Sequence, residues 1–219
     1  MNKLPIANIN LTLVGDYNLS DSALLTYAMI DAYSGYKSEA YISITDFGKK
    51  IFNSGAQGRT SMIKNGIAEL TKKGLITRLQ RNIYDTRKLG RYKREQSVQV
   101  EMDLVKKLGT IANTRNIAPG LLKTYVVMKY QLESSKNSVC GTTKQRLTEQ
   151  SHCSFQAIER RLSILNEFNL FKIQNFSNKE IHWKTVFNTV WYSDPKNEKD
   201  LIKVVSKLPL KKGRNACAA

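Results

Sequence analysis

Residues 60–79 read TSMIKNGIAELTKKGLITRL. Ile63, Ile67 and Leu70 recur at spacings of four and three, the apolar stripe of a helix with one buried side. Gly74 stands just past the last stripe residue, where a chain leaving a helix commonly turns left-handed. Leu75–Leu79 then follows as a strand. The spacing predicts a helix from about Thr60 to Lys73. At 100° per residue its outer side carries Ser61, Asn65, Ala68 and Lys72, with Lys64 alongside.

Upstream, Ser20 is placed to cap a helix running to Ser34, with Asp21 in its first turn and Ala23, Leu24, Tyr27 and Ile30 as its apolar stripe. Gly35 ends it. Ala40–Ile44 has the pattern of a short strand, and Thr45 or Asp46 starts a second helix through Phe47 and Ile51. Asn53-Ser54-Gly55 and Gly58 read as a turn. Downstream, a basic stretch from Gln80 to Gln96 leads to Ser97–Met102, whose apolar–polar alternation predicts a partner strand for Leu75–Leu79. Helix, strand, helix, turn, helix and a strand pair around a basic loop is the winged-helix order. The second and third helices form the helix-turn-helix and the strand pair is the wing.

The unit repeats. Advancing 95 positions carries Ile63, Ile67 and Leu70 onto Ile158, Leu162 and Leu165, and Leu75 and Ile76 onto Leu170 and Phe171. Gly74 falls on Asn169, the other residue type that tolerates a left-handed cap. Leu121–Tyr125 echoes Leu24–Tyr27 with a slip of one residue. Thr142 or Thr143 starts the second short helix, Ser154 caps the third, and Leu170–Phe176 with Ile181–Thr189 forms a second strand pair, tipped by Ser177-Asn178-Lys179.

The expected architecture is mainly α with small β-hairpins, an α+β protein of two winged-helix domains in tandem. The expected divisions are an N-terminal extension over 1–19, the first domain over 20–102, a linker over 103–117, the second domain over 118–190 and a basic tail over 191–219. The linker carries a short helix over Leu104, Val105 and Leu108, and Pro119 suits the first turn of the next helix. Asp194-Pro195 marks a turn, and Leu201–Leu208 forms a short helix.

The formal net charge is +17 over 219 residues, and like charges repel in the folded state. A polyanionic partner is the simplest reason to keep such an excess, with nucleic acid ahead of an anionic membrane surface. No apolar run approaches the length of a membrane span, and residues 1–14 make a poor signal peptide, so a cytoplasmic protein without membrane partners is expected. Cys140, Cys153 and Cys217 have no CxxC spacing, and His152 and His182 are the only histidines; no metal and no cofactor is expected. No phosphate-binding GxxxxGK[ST] loop occurs, no His-x-His pair is available for a nicking site, and carboxylates are scarce. A non-enzymatic role follows.

The residues expected to meet DNA fall in three groups. Arg59 and Thr60 sit at the start of the third helix to meet phosphate, and Ser61, Lys64, Asn65 and Lys72 lie on its outer side as a reading face, the lysines suited to guanine or to phosphate. Arg78, Arg81, Arg87, Lys88, Arg91, Lys93 and Arg94 crowd the first wing, opposed by Asp85, with Tyr84 and Tyr92 interleaved either to pack on sugars or to anchor the loop. In the second domain the group is Lys144, Gln156, Arg160 and Ser163. Glu159 is exposed among them, Arg161 lies toward the flank, and Glu159 and Glu167 lower the positive charge, which suits weaker DNA contact or dimerisation.

Leu24–Met29, Ile42-Ser43-Ile44-Thr45, Gly58-Arg59-Thr60-Ser61 and Ile67–Ile76 together resemble the helix-turn-helix domain of plasmid and phage replication proteins and of many bacterial regulators. The doubled domain is similar to tandem winged-helix plasmid replication initiators. That resemblance implies a double-stranded DNA-binding initiator that marks origin repeats, recruits host replication proteins and exchanges between monomer and homodimer. A transcriptional regulator on the same scaffold, and a protein–protein module without DNA binding, are the alternatives.

Overall fold

The computed structural model describes residues 5–34, 39–52, 57–89, 96–105, 107–108, 120–176 and 188–208. The protein is mixed α+β, helices with small antiparallel sheets, and it divides into two compact units, Met1–Tyr130 and Gln131–Ala219.

The first unit is built around α2 (Asp21–Ser34). Ser20 caps it, its hydroxyl accepting the Ala23 amide at 3.2 Å. Residues 23–30 are buried on every side, because β1 (Ile6–Asn10) packs on one flank of the helix and α4 (Gln57–Lys72) on another. Between α2 and α4 come β2 (Glu39–Tyr41) and α3 (Ile44–Phe52). The helix α3 is capped by Ser43, whose hydroxyl accepts the Asp46 amide at 3.3 Å, so it begins earlier than Thr45. Gly58 lies inside the first turn of α4 rather than in a turn before it, which puts Thr60 within the helix.

Where α4 crosses α2, Gly66 is the contact. A Cβ there would run into the Ser22 carbonyl and the Thr26 hydroxyl, and that hydroxyl already donates to the Ser22 carbonyl at 2.8 Å. After α4 the chain turns at Gly74, with φ of +65°, and the Leu70 carbonyl accepts the Leu75 amide at 2.9 Å. The strands β3 (Thr77–Gln80) and β4 (Ile83–Asp85) follow, joined by Arg81 and Asn82, the latter with φ of 61°.

The strand pairing departs from expectation. The partner of β3 is β4, and β4 also pairs with β2, giving the order β2-β4-β3. The alternating segment β5 (Ser97–Glu101) pairs instead with β1, in the register Ile6–Glu101 to Asn10–Ser97. Alternation marks a half-buried strand but is silent about which strand it joins. Residues 6–19 are consequently part of the core: Ala7, Ile9, Leu13, Val14 and Leu19 are fully buried, and the short helix α1 (Leu11–Val14) is capped by Asn10. Residues 102–105 and 107–108 are helical and bury Met102, Val105 and Leu108. Gly35, Asn53–Gly55 and Pro119 lie outside the described residues.

The helix α5 (Leu121–Ser134) runs through the division at Tyr130. The second unit continues with β6 (Val139–Thr143), α6 (Lys144–Ser151), α7 (Phe155–Glu167), β7 (Lys172–Phe176), β8 (Thr189–Ser193), a 3₁₀ turn over Pro195–Asn197 and α8 (Glu198–Val205). Thr143 caps α6 and Ser154 caps α7, through bonds of 3.1 and 3.2 Å to the Arg146 and Ala157 amides. The sheet order is β6-β8-β7. The strand expected over Ile181–Thr189 starts at Thr189 and extends to Ser193; residues 177–187 lie outside the described set. The strand β6 was unforeseen. Its glycine, Gly141, faces Trp191 across the ladder, and the indole covers the place a Cβ would fill.

The order α2-β2-α3-α4-β3-β4 recurs, after β5, as α5-β6-α6-α7-β7-β8, and each of the two three-stranded sheets places its last strand between the other two. The exits from α4 and α7 match bond for bond. Asn169 has φ of 54°, and the Leu165 carbonyl accepts the Leu170 amide at 2.8 Å and the Phe171 amide at 3.2 Å, as the Leu70 carbonyl does for Leu75 and Ile76. Tyr84 and Tyr192 occupy the same central place, Tyr84 between Ala40 and Arg78, and Tyr192 between Cys140 and Ile173.

Candidate nucleic-acid interface

The exposed stripe of α4 consists of Ser61, Lys64, Asn65, Ala68 and Lys72. The buried stripe of Ile63, Ile67 and Leu70 fixes its direction, since residues half a helical turn away must point to solvent. Thr60 is half-buried, and nothing is described of the Arg59 side chain. This stripe has two lysines and no carboxylate. Lys73, also exposed, is engaged elsewhere, its ammonium donating to the Tyr17 carbonyl at 2.6 Å.

The β3–β4 hairpin adds cations. Arg78 and Arg81 are exposed, with Arg81 in the two-residue connection itself, and Tyr41 and Leu79 are exposed on the same small sheet. The basic stretch is therefore divided rather than forming one wing loop: Arg78 and Arg81 belong to the hairpin, Arg87 and Lys88 to the turn after it. Leu89 is buried and pins that turn, its amide donating to the Thr86 carbonyl at 3.0 Å. Lys88 passes close to Gly74, near the carbonyl end of α4, where positive charge is favoured. Arg91, Tyr92, Lys93 and Arg94 lie outside the described residues.

Arg87 is exposed but paired. Its guanidinium donates to both Asp85 oxygens, with the shortest contact 2.6 Å, and its backbone amide donates to the same carboxylate. These bonds hold the Asp85 carboxyl at about 2 and push the Arg87 guanidinium up. Tyr84 is buried in the middle of the sheet, which makes it an anchor of the hairpin rather than a sugar-packing group.

In the second unit, Gln156, Arg160 and Ser163 are exposed on α7. They stand 95 positions after Ser61, Asn65 and Ala68, and the intervening stripe positions change sign: Lys64 becomes Glu159 and Lys72 becomes Glu167, both exposed. Lys144 does not join the outward cations. It is buried, and its ammonium is 2.8 Å from the Glu159 carboxylate and 5.5 Å from the centre of the Phe155 ring. Arg161 is likewise buried rather than on a flank. The Lys144–Glu159 pair had no sequence signal, because a contact between residues on two helices depends on how those helices pack.

Tyr192 donates to the Gln131 side chain at 2.8 Å and packs edge-on to Phe171, 5.6 Å between ring centres. Gln131 in turn donates to the Gln150 side chain. Burial pushes the Tyr192 phenol well above its ordinary range and raises the Cys140 thiol, so both act as neutral core groups. Among the described residues no three His, Cys, Asp or Glu side chains gather to hold a metal, and no helix is long and apolar enough to cross a membrane. No protein-family model and no curated protein matches the chain.

Proposed function

We propose that this protein binds double-stranded DNA sequence-specifically through two winged helices in tandem, and that it serves in the cytoplasm as a replication initiator of a plasmid or other mobile element. The observation that supports this most is the stripe Ser61, Lys64, Asn65, Ala68 and Lys72, exposed on α4, together with the exposed Arg78 and Arg81 of the hairpin that follows α4 in the chain. A helix of this kind offers amide and ammonium donors to base edges, while arginines on a projecting hairpin neutralise phosphates. The repeated element order supports a second reader, α7, on the same plan. The mechanism is positioning rather than catalysis: the protein marks its sites and presents itself to host replication proteins, as a monomer or a homodimer.

The test is binding to duplex DNA as a function of salt, followed by footprinting across the DNA that surrounds the protein's own gene. Affinity that falls steeply with salt, with protected repeats at an origin, is the expected result. Protection across a promoter instead would make the protein a transcriptional regulator. A flat salt response would favour a protein partner and end the DNA-binding reading.

A further inference from the structure

Glu159 stands where a DNA-facing helix ordinarily avoids a carboxylate, on the outward stripe of α7 at the position equivalent to Lys64. An unpaired carboxylate there would repel phosphates. This one is neutralised from behind. The Lys144 ammonium, on a side chain 11% exposed, lies 2.8 Å from Oε1, and the Phe155 ring covers the same ammonium from 5.5 Å. The lysine is the first residue of α6, whose start is fixed by the Thr143 cap and by the Lys144 amide donating to the Asn188 carbonyl at 2.9 Å. The carboxylate is thereby held by a rigid element, and the Glu159 side chain remains 49% exposed. A fixed, charge-compensated acceptor aimed outward is suited to reading a donor.

Resting on the DNA-binding reading, we infer that Glu159 is a base-reading residue that selects cytosine, and that Lys144 is its positioning residue. In the major groove cytosine presents the N4 amino group, which donates to Glu159 Oε2 while Lys144 occupies Oε1. Guanine and thymine present acceptors at the equivalent edge, which a carboxylate repels. Adenine places its N7 acceptor beside the N6 donor and is disfavoured for the same reason. Glu159 stands on α7 where α4 carries Lys64, so the two helices then do not share one sequence preference.

The experiment is selection of randomised duplexes by the full-length protein, with sequencing of the bound pool, for wild type, Glu159→Gln and Lys144→Met. Wild type should enrich cytosine at one position by roughly 5- to 100-fold over the other bases. Glu159→Gln should lose that preference and move toward adenine, which an amide pairs through N6 and N7, with all other positions unchanged. Lys144→Met should lose the cytosine preference as well. A lysine that served only to hold the fold would instead lower affinity for every sequence alike, and that result would overturn its positioning role. An unchanged profile for Glu159→Gln overturns the inference while leaving DNA binding intact. A wild-type protein that enriches no sequence overturns the sequence-specific part of the DNA-binding reading and the inference with it.

Discussion

The Asp21 carboxylate accepts the backbone amide of Lys123 at 3.2 Å, although the two residues are 102 positions apart in the chain. The same carboxylate accepts the amides of Leu122, at 3.3 Å, and Gly120, and the Lys123 ammonium donates to the Asn18 side chain at 2.9 Å. One buried acidic side chain in the first turn of α2 thus satisfies the open amides at the start of α5. Helix starts are partly positive, so the charge suits both. Asp21→Ala strands these amides away from water and should destabilise the first unit by about 2–4 kcal/mol. Asp21→Asn keeps an acceptor and should cost less. Urea unfolding followed by circular dichroism measures both, and equal midpoints for Asp21→Ala and wild type would show that the carboxylate is idle.

Gly74 and Asn169 end α4 and α7 in the same left-handed conformation, with φ of +65° and 54°. A Cβ crowds the backbone there, costing about 1–2 kcal/mol for residues other than Gly and Asn. Gly74→Ala should therefore destabilise by about 1 kcal/mol, as should Asn169→Ala, whereas Asn169→Gly should be neutral or mildly stabilising. Thermal unfolding of the three variants checks the pattern. If Gly74→Ala unfolds at the wild-type temperature, the two exits are not equivalent.

These two sites also show what sequence reading can reach. The stripe of Ile63, Ile67 and Leu70, the caps at Ser20 and Ser154, a helix start at Thr142 or Thr143, and the left-handed exits were all legible, because each depends on residues within a turn or two of one another. The outward direction of Lys64 and Asn65 followed from the same stripe. Strand partnership was not legible. Ser97–Glu101 carries its alternation openly, yet its choice of Ile6–Asn10 over Thr77–Gln80 is made by the tertiary fold. The strand Val139–Thr143 was hidden for another reason: only Val139 and Cys140 are apolar, Gly141 and two threonines complete it, and Trp191 on the neighbouring strand covers the glycine. The burial of Lys144 was not legible either, because the sequence displays its charge and not the helix packing that encloses it.

Asp85 and Arg87 give a pH-dependent signature. The folded Asp85 carboxyl sits at about 2, below the ordinary aspartate value of about 3.9, because Arg87 bonds to its charged form. The pair's contribution is therefore complete above the unfolded value and is lost as pH falls through about 2. Following the Asp85 side-chain carbon by NMR should give a midpoint near that value in wild type and a return toward the ordinary value in Arg87→Ala. Asp85→Asn, which frees the guanidinium and removes a negative charge, should tighten binding to random duplex modestly. Weaker binding in that variant would mean that the pair holds Arg87 in its working position.

Gly66 tests how closely α2 and α4 approach. A Cβ at this position meets the Thr26 hydroxyl and also the Ser22 carbonyl, and the carbonyl belongs to the helix backbone and cannot swing aside. Gly66→Ala improves helix propensity, but separating the helices should outweigh that gain, for a net loss of about 1–3 kcal/mol. Adding Thr26→Ala removes only the movable obstacle, so the double variant should stay well below wild type. Full recovery of stability in the double variant would place the constraint at the threonine alone.

Asn65 and the lysines flanking it on α4 separate reading from attraction. Asn65 is exposed in the middle of the stripe, and on the proposed DNA-binding reading its amide is suited to adenine N6 and N7. Asn65→Ala should reduce preference at one base position by about 1–3 kcal/mol while leaving affinity for random duplex nearly unchanged. Lys64→Ala with Lys72→Ala should act in the opposite way, weakening binding to every sequence and lowering the salt slope by about 1 for each phosphate that is no longer neutralised. Competition titrations with cognate and random duplexes at several salt concentrations distinguish the two. Should Asn65→Ala lose affinity equally on both duplexes, Asn65 touches the DNA backbone and the base-reading surface lies elsewhere on the stripe.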